Sequence, residues 1–161
     1  DISGFGPIPT SRKPTVSSDL YNLVYISNPT QRLNNEGLKT LLEECRRFNA
    51  AHGLTGVLLY DGTLFMQCLE GSQAAVTALM SRIAGDPRHK NVATIEEGPI
   101  QRRSFADWYM GCSRVGRDRM LRLETATWQR HRAGLPGGQP GAGLTLMSQC
   151  WDEFQRSAAA L

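Results

Sequence analysis

Leu54-Thr-Gly-Val-Leu-Leu-Tyr60, Asp61-Gly62 and Thr63-Leu-Phe-Met-Gln-Cys-Leu-Glu-Gly71 form one continuous stretch, and its reading decides the fold. Two apolar runs flank an Asp-Gly pair. Glycine tolerates the positive φ that tight hairpin turns need, so residues 54–60 and 64–70 are predicted to be paired antiparallel strands. The return strand carries one polar residue at its middle, Gln67, among Phe65, Met66, Cys68 and Leu69.

Upstream, Leu38, Leu41, Leu42, Cys45 and Phe48 recur at steps of three and four. That spacing predicts a helix opened by Asn34 or Asn35 and stopped near Gly53. Residues 20–27 are short, apolar and bounded by Asn28-Pro29, which reads as a strand. Downstream, Gly71-Ser72 starts a second helix with Val76, Leu79, Met80 and Ile83 on one face. Residues 92–100 and 105–113 read as two further strands. The order β-α-β-β-α-β-β is the split ferredoxin-like arrangement of an α+β fold with one extra strand. It puts both helices on one face of the sheet, with a groove between them floored by strands. Such a concave, mostly apolar groove suits a planar ligand.

Strand alternation places Leu23, Tyr25 and Ser27 on one face, and Phe65, Gln67 and Leu69 on one face. Tyr25 and Gln67 are therefore expected to point together towards the helices. A buried glutamine needs partners for both ends of its amide. Asn49 falls four residues after Cys45 and can face the same groove. Arg82 and Asp86 are four apart on the second helix, at ion-pair spacing. Arg88-His89 sits in the turn after it. Trp108 and Met110 are expected to share one face of the last strand. Taken singly, each has a plainer structural explanation: a buried amide on backbone, a helix-terminal Asn, a surface pair, core packing.

The chain has 161 residues, 40% hydrophobic and 20% charged, which suits a folded domain with appended structure. No apolar run approaches a membrane span, and no signal-like start is present. Cys45, Cys68, Cys112 and Cys150 are scattered, and only three His are present, so no metal site is expected. Reduced thiols in a cytoplasmic protein are the expectation. The net charge of +3 is unevenly spread. Residues 20–113 hold nine basic and nine acidic side chains, whereas seven Arg face four acids from Arg114 onward. Arg114, Arg117, Arg119, Arg122, Arg130 and Arg132 form this basic tail, read as a solvated helix face rather than a nucleic-acid contact. Three parts are expected: a flexible extension over 1–19, a compact domain over 20–115, and a helical segment over 116–161. The last contains a Gly/Pro break at 134–143 and a final helix over 144–159.

Five segments carry a resemblance. They are Leu23-Val-Tyr-Ile-Ser27, Asn49 through Leu54-Thr-Gly-Val-Leu-Leu-Tyr60, and Phe65-Met-Gln-Cys-Leu-Glu-Gly71. Arg82-Ile-Ala-Gly-Asp-Pro-Arg-His89 and Arg103-Ser-Phe-Ala-Asp-Trp-Tyr-Met110 complete the set. In order and spacing, residues 20–113 resemble the BLUF family, sensors of blue light using FAD. The resemblance implies FAD as cofactor. It makes Tyr25 the photochemical electron donor and places Gln67 between Tyr25 and the flavin. It also implies that Asn49 bonds the polar edge of the ring, that Arg82 reaches a ring carbonyl oriented by Asp86, and that His89 lies near the cofactor. Trp108 and Met110 would relay the signal. The family usually has a polar residue where this chain has Phe48, so one ring contact is expected to be missing.

Gln suits the relay because its amide both donates and accepts, so rotation or tautomerisation exchanges its bonds without loss of an atom. The sequence has no P-loop, dinucleotide fingerprint, or cyclase-like or phosphodiesterase-like stretch. A short, stand-alone, non-enzymatic photosensor is expected, with mechanical output through residues 114–161 to a downstream protein. A homodimer or higher homo-oligomer is expected, without membrane or nucleic acid. Rival readings are an RNA-binding module, a dark flavin enzyme and a ligand-free structural domain. The first is opposed by the neutral charge of 20–113 and the lack of an RNP-type strand.

Overall fold

A computed structural model describes residues 20–128 and 141–159, with side chains through residue 157. The extension over 1–19 and part of the Gly/Pro break lie outside the described residues, as do Arg130 and Arg132. The elements are β1 (Leu20–Pro29), α1 (Asn35–His52), β2 (Thr55–Tyr60), β3 (Phe65–Ser72), α2 (Gln73–Gly85), β4 (His89–Pro99), β5 (Gly111–Arg114), α3 (Arg117–Thr125) and α4 (Ala142–Ala159).

The strands form one sheet in the order β4-β1-β3-β2-β5. All neighbours are antiparallel except β2 and β5, which run parallel. This is the expected ferredoxin-like sheet with an added strand. The hairpin forms where Asp61-Gly62 predicts it. Asp61 Oδ1 accepts the N–H groups of Thr63 and Leu64 at 2.8 Å each, and Gly62 has φ 100°. Helix α1 is capped by Asn34, whose side chain accepts from Gly37 N, and ends at Gly53 with φ 66°.

Alternation sorts the sheet into two cores. Leu23, Tyr25, Leu58, Tyr60, Phe65 and Leu69 pack against α1 and α2. Val24, Val57, Leu59, Met66 and Cys68 pack against Met120, Leu123, Trp128, Leu144, Met147 and Trp151 of the C-terminal region. All six residues of β2 are consequently buried, which explains its unbroken apolar sequence. The C-terminal segment is thus a lid on the second face of the sheet.

The last strand departs from expectation. Pairing begins at Gly111 rather than near Phe105, and residues 105–110 are irregular. Trp108 and Met110 therefore do not share a strand face. Trp108 is 38% exposed and meets Trp151 edge-on at 5.2 Å, whereas Met110 is 1% exposed in the core beneath α1 and α2. The cause is non-local hydrogen bonding. Glu70, wholly buried, accepts the N–H groups of Ser104 and Phe105 and the Thr55 hydroxyl. Arg103 adds bonds to Thr55 Oγ1, Glu70 O and Gly53 O. These contacts take the backbone groups that a strand would have paired.

In the tail, Arg117 pairs with Asp61 at 2.9 Å, Arg119 pairs with Glu153 at 2.6 Å, and Arg114 lies over the Tyr60 ring. All four cysteines are free thiols. Among the described residues, no helix is long and apolar enough to cross a membrane, and no cluster is placed to hold a metal.

Candidate functional site

A cavity of about 340 Å³ opens between α1 and α2. Its floor is Tyr25, Leu58 and Gln67 from the sheet. Its walls are Leu41, Cys45 and Phe48 from α1, and Leu79, Arg82 and Ile83 from α2. Glu44, Asp86, Arg88 and His89 stand around it. Apolar walls with a few convergent polar groups are the usual make-up of a ligand site.

Tyr25 on β1 and Gln67 on β3 are directly paired in the antiparallel register. Tyr25 Oη donates to Gln67 Oε1, and Gln67 Nε2 donates to Met110 Sδ at 3.2 Å. Both residues are almost wholly buried. A thioether accepts but cannot donate, so the amide must turn its NH₂ towards Met110 and its oxygen towards the phenol. Burial, helped by the nearby Cys45 and Asp86, pushes the Tyr25 ionisation far above its ordinary value. Its hydroxyl therefore keeps its proton and remains a donor.

His89 opens β4, with Nδ1 3.0 Å from Ser27 Oγ and its ring tilted against Phe65. Desolvation lowers its pKa, so the neutral imidazole is favoured.

Arg82 and Asp86 do not pair. Asp86 is the C-cap of α2, with extended backbone at φ −82° and ψ 120°, so the helical geometry that would bring i and i+4 together has already ended. Its carboxylate instead takes Arg88 Nε and Nη2, the latter at 2.7 Å, and this contact holds its pKa below the usual range. Arg88 also reaches Glu44 on α1 at 2.9 Å, tying the two sides of the mouth. Arg82 places its guanidinium over the Phe48 ring, 4.4 Å from the centroid. Phe48, which offers no polar group to a ligand, thus contributes a cation–π contact across the cleft.

Asn49 is 1% exposed and does not line the cavity directly. Its Nδ2 donates to Tyr109 O, while its Oδ1 is buried with no hydrogen-bond partner among the described residues. An unmet buried acceptor costs about 1–3 kcal/mol. A flavin fits this set. Its flat apolar body matches the walls, and its polar edge matches the Gln67 amide and the Arg82 guanidinium.

Sequence reasoning missed Arg88 as the bridge across the mouth, Glu70 as the anchor of residues 104–105, and Arg46, whose Nε donates to Met110 O at 2.9 Å. Arg88 was legible in part, from its place two residues after Asp86. Arg46 and Glu70 act on a segment remote in sequence, so no local pattern announces them.

The chain is similar to known proteins in sequence and fold. The family model described as BLUF, sensors of blue-light using FAD, matches residues 20–111. The photoactivated adenylate cyclase subunit beta of Euglena longa is 40% identical over 95 residues, which cover 58% of this chain and 11% of that protein. The subunit alpha of Euglena gracilis is 31% identical over 103 residues, 63% of this chain and 10% of that protein. The chain thus spans about a tenth of the length of these curated relatives. Among solved structures, BlsA in its photo-activated state aligns with TM-score 0.59 and 31% identity, covering 65% of this chain and 76% of that one. The dark-state structure of BlrB, a BLUF protein, aligns with TM-score 0.56 and 33% identity, covering 60% and 74%.

Proposed function

Since the chain belongs to the BLUF family of blue-light sensors, we propose that it binds FAD in the cleft between α1 and α2 and reports light through a reversible exchange of hydrogen bonds at Gln67. One observation carries this reading: Gln67 is the buried amide joining the Tyr25 hydroxyl to Met110 at the cleft floor.

Gln67, Asn49, Arg82 and His89 are the residues that would hold the cofactor. When bound, FAD supplies blue-light absorption and a strong photo-oxidant. Tyr25 is the oxidisable side chain beside it, kept neutral and shielded from water. Rotation of the Gln67 amide exchanges its donor and acceptor ends, so the Tyr25 hydroxyl and Met110 Sδ each face a different group afterwards. No atom is gained or lost, which makes the change reversible.

Output is mechanical in this reading. A shift of Met110 moves Trp108, two residues earlier, and Trp108 touches Trp151 on α4. The C-terminal helices would pass the change to a downstream protein or to a second copy of the chain, without catalysis by this chain itself.

The test is an absorption spectrum in the dark and just after blue light, for wild type and Gln67→Leu. A small red shift that reverses in the dark and vanishes in the variant is expected. A protein that takes up no flavin, or one whose flavin only bleaches, overturns the reading.

A further inference from the structure

Three successive carbonyls just before β5 are each held by a different donor. Trp108 O accepts Gly56 N–H at 2.9 Å, Tyr109 O accepts Asn49 Nδ2, and Met110 O accepts Arg46 Nε at 2.9 Å. Arg46 and Asn49 are three residues apart on α1, so one face of that helix supplies two of the three bonds. The irregular backbone over 105–110 has no regular strand ladder. Its last turn therefore depends on the Gly56 N–H and on two side chains of α1.

Met110 is also the residue whose sulfur contacts Gln67 Nε2. Its backbone carbonyl and its side chain are thus held by different partners, one by Arg46 and the other by the Gln67 amide. The thioether favours the amide orientation with NH₂ towards it, because the turned amide would bring an acceptor against an acceptor. This preference lasts only while Sδ is held close, and the grip on the Met110 carbonyl keeps it there. Arg suits the task because its charge is permanent and its planar head presents Nε in a fixed direction. Arg46 itself is exposed, so its head group can be changed without opening the core.

We infer that Arg46 is a positioning residue for the Gln67 amide. By holding the Met110 carbonyl it keeps the sulfur against Nε2, and so sets how fast the light-shifted state returns to the dark one. The inference rests on the blue-light reading above.

The experiment compares wild type, Arg46→Met and Arg47→Met as full chains. Arg47 is an exposed neighbour on the same helix and controls for loss of one positive charge. Two quantities are measured: the time constant of dark recovery in the flavin-loaded protein, and hydrogen exchange over residues 106–112 in the flavin-free protein. Arg46→Met is expected to slow recovery about threefold or more and to speed exchange over 106–112, with an unchanged thermal midpoint. Arg47→Met is expected to match wild type in both. Recovery in Arg46→Met equal to wild type, or an equal change in Arg47→Met, overturns the inference. A wild-type protein without any reversible shift overturns the parent reading instead. In that case the exchange measurement still decides whether Arg46 holds the segment.

Discussion

Met110 Sδ lies 3.2 Å from Gln67 Nε2, so the segment leading into β5 contacts the buried Gln67 amide directly. The contact is asymmetric, because sulfur can take a hydrogen bond from the amide but has none to give. Met110→Leu keeps volume and apolarity, and such swaps usually cost less than about 1.5 kcal/mol. It removes the acceptor that selects one amide orientation. The variant is expected to bind flavin and to retain the red shift, but to return to the dark state several-fold more slowly. Recovery at the wild-type rate would mean that Met110 merely fills space.

Gly56 explains part of the Leu54-Thr-Gly motif in steric terms. A Cβ at this position would lie 1.9 Å from the carbonyl oxygen of Cys68 on β3. The same residue donates its N–H to Trp108 O, so a shift of β2 also loosens the segment before β5. Gly56→Ala is expected to destabilise the protein by roughly 3 kcal/mol or more, at the upper end for overpacking. Thermal denaturation checks this, and a midpoint within 2–3 °C of wild type, on the order of 1 kcal/mol, would contradict it.

His89 predicts a pH dependence of stability. Burial lowers its folded pKa below 6.5, with Asp86 opposing and Arg88 reinforcing that shift. As pH falls, the unfolded chain binds the proton first, so stability is full above 6.5 and drains as pH falls towards the folded value. His89→Gln keeps a polar side chain near Ser27 but does not titrate. The drop in thermal midpoint between pH 7 and pH 5.5 is expected to be smaller in this variant. An equal drop would assign the dependence to other groups.

Much of this architecture is legible in the sequence because its causes are local. The Asp61-Gly62 turn and the Asn34 cap are satisfied by neighbours a few positions away, and the alternation that orients Tyr25 and Gln67 is written within each strand. The exceptions have distant causes. Residues 105–110 alternate well enough to suggest a strand, yet Glu70, Asn49 and Arg46 take up their backbone groups from other elements. Arg82 and Asp86 have ion-pair spacing, but the helix ends between them at Gly85 and Asp86 turns to Arg88. Helical spacing predicts a contact only while the helix lasts.

The C-terminal helices are both a cover and a candidate output, which limits how the output can be tested. Met120, Leu123, Met147 and Trp151 pack on the second face of the sheet, over Val24, Val57, Leu59, Met66 and Cys68. Truncation after β5 would expose that face and destabilise the domain, confounding any signalling readout. The contact between Trp108 and Trp151 offers a finer probe, since Trp108 is 38% exposed and its backbone bond does not depend on its ring. Trp108→Leu removes an edge-to-face pair worth about 0.5–1.5 kcal/mol beyond area burial. The variant is expected to keep the red shift, because the Tyr25, Gln67 and Met110 contacts are untouched. It is also expected to lose light-dependent hydrogen exchange changes over residues 144–157. If those changes persist at wild-type size, the signal reaches α4 by another route, through β5 and α3 rather than through the indole pair.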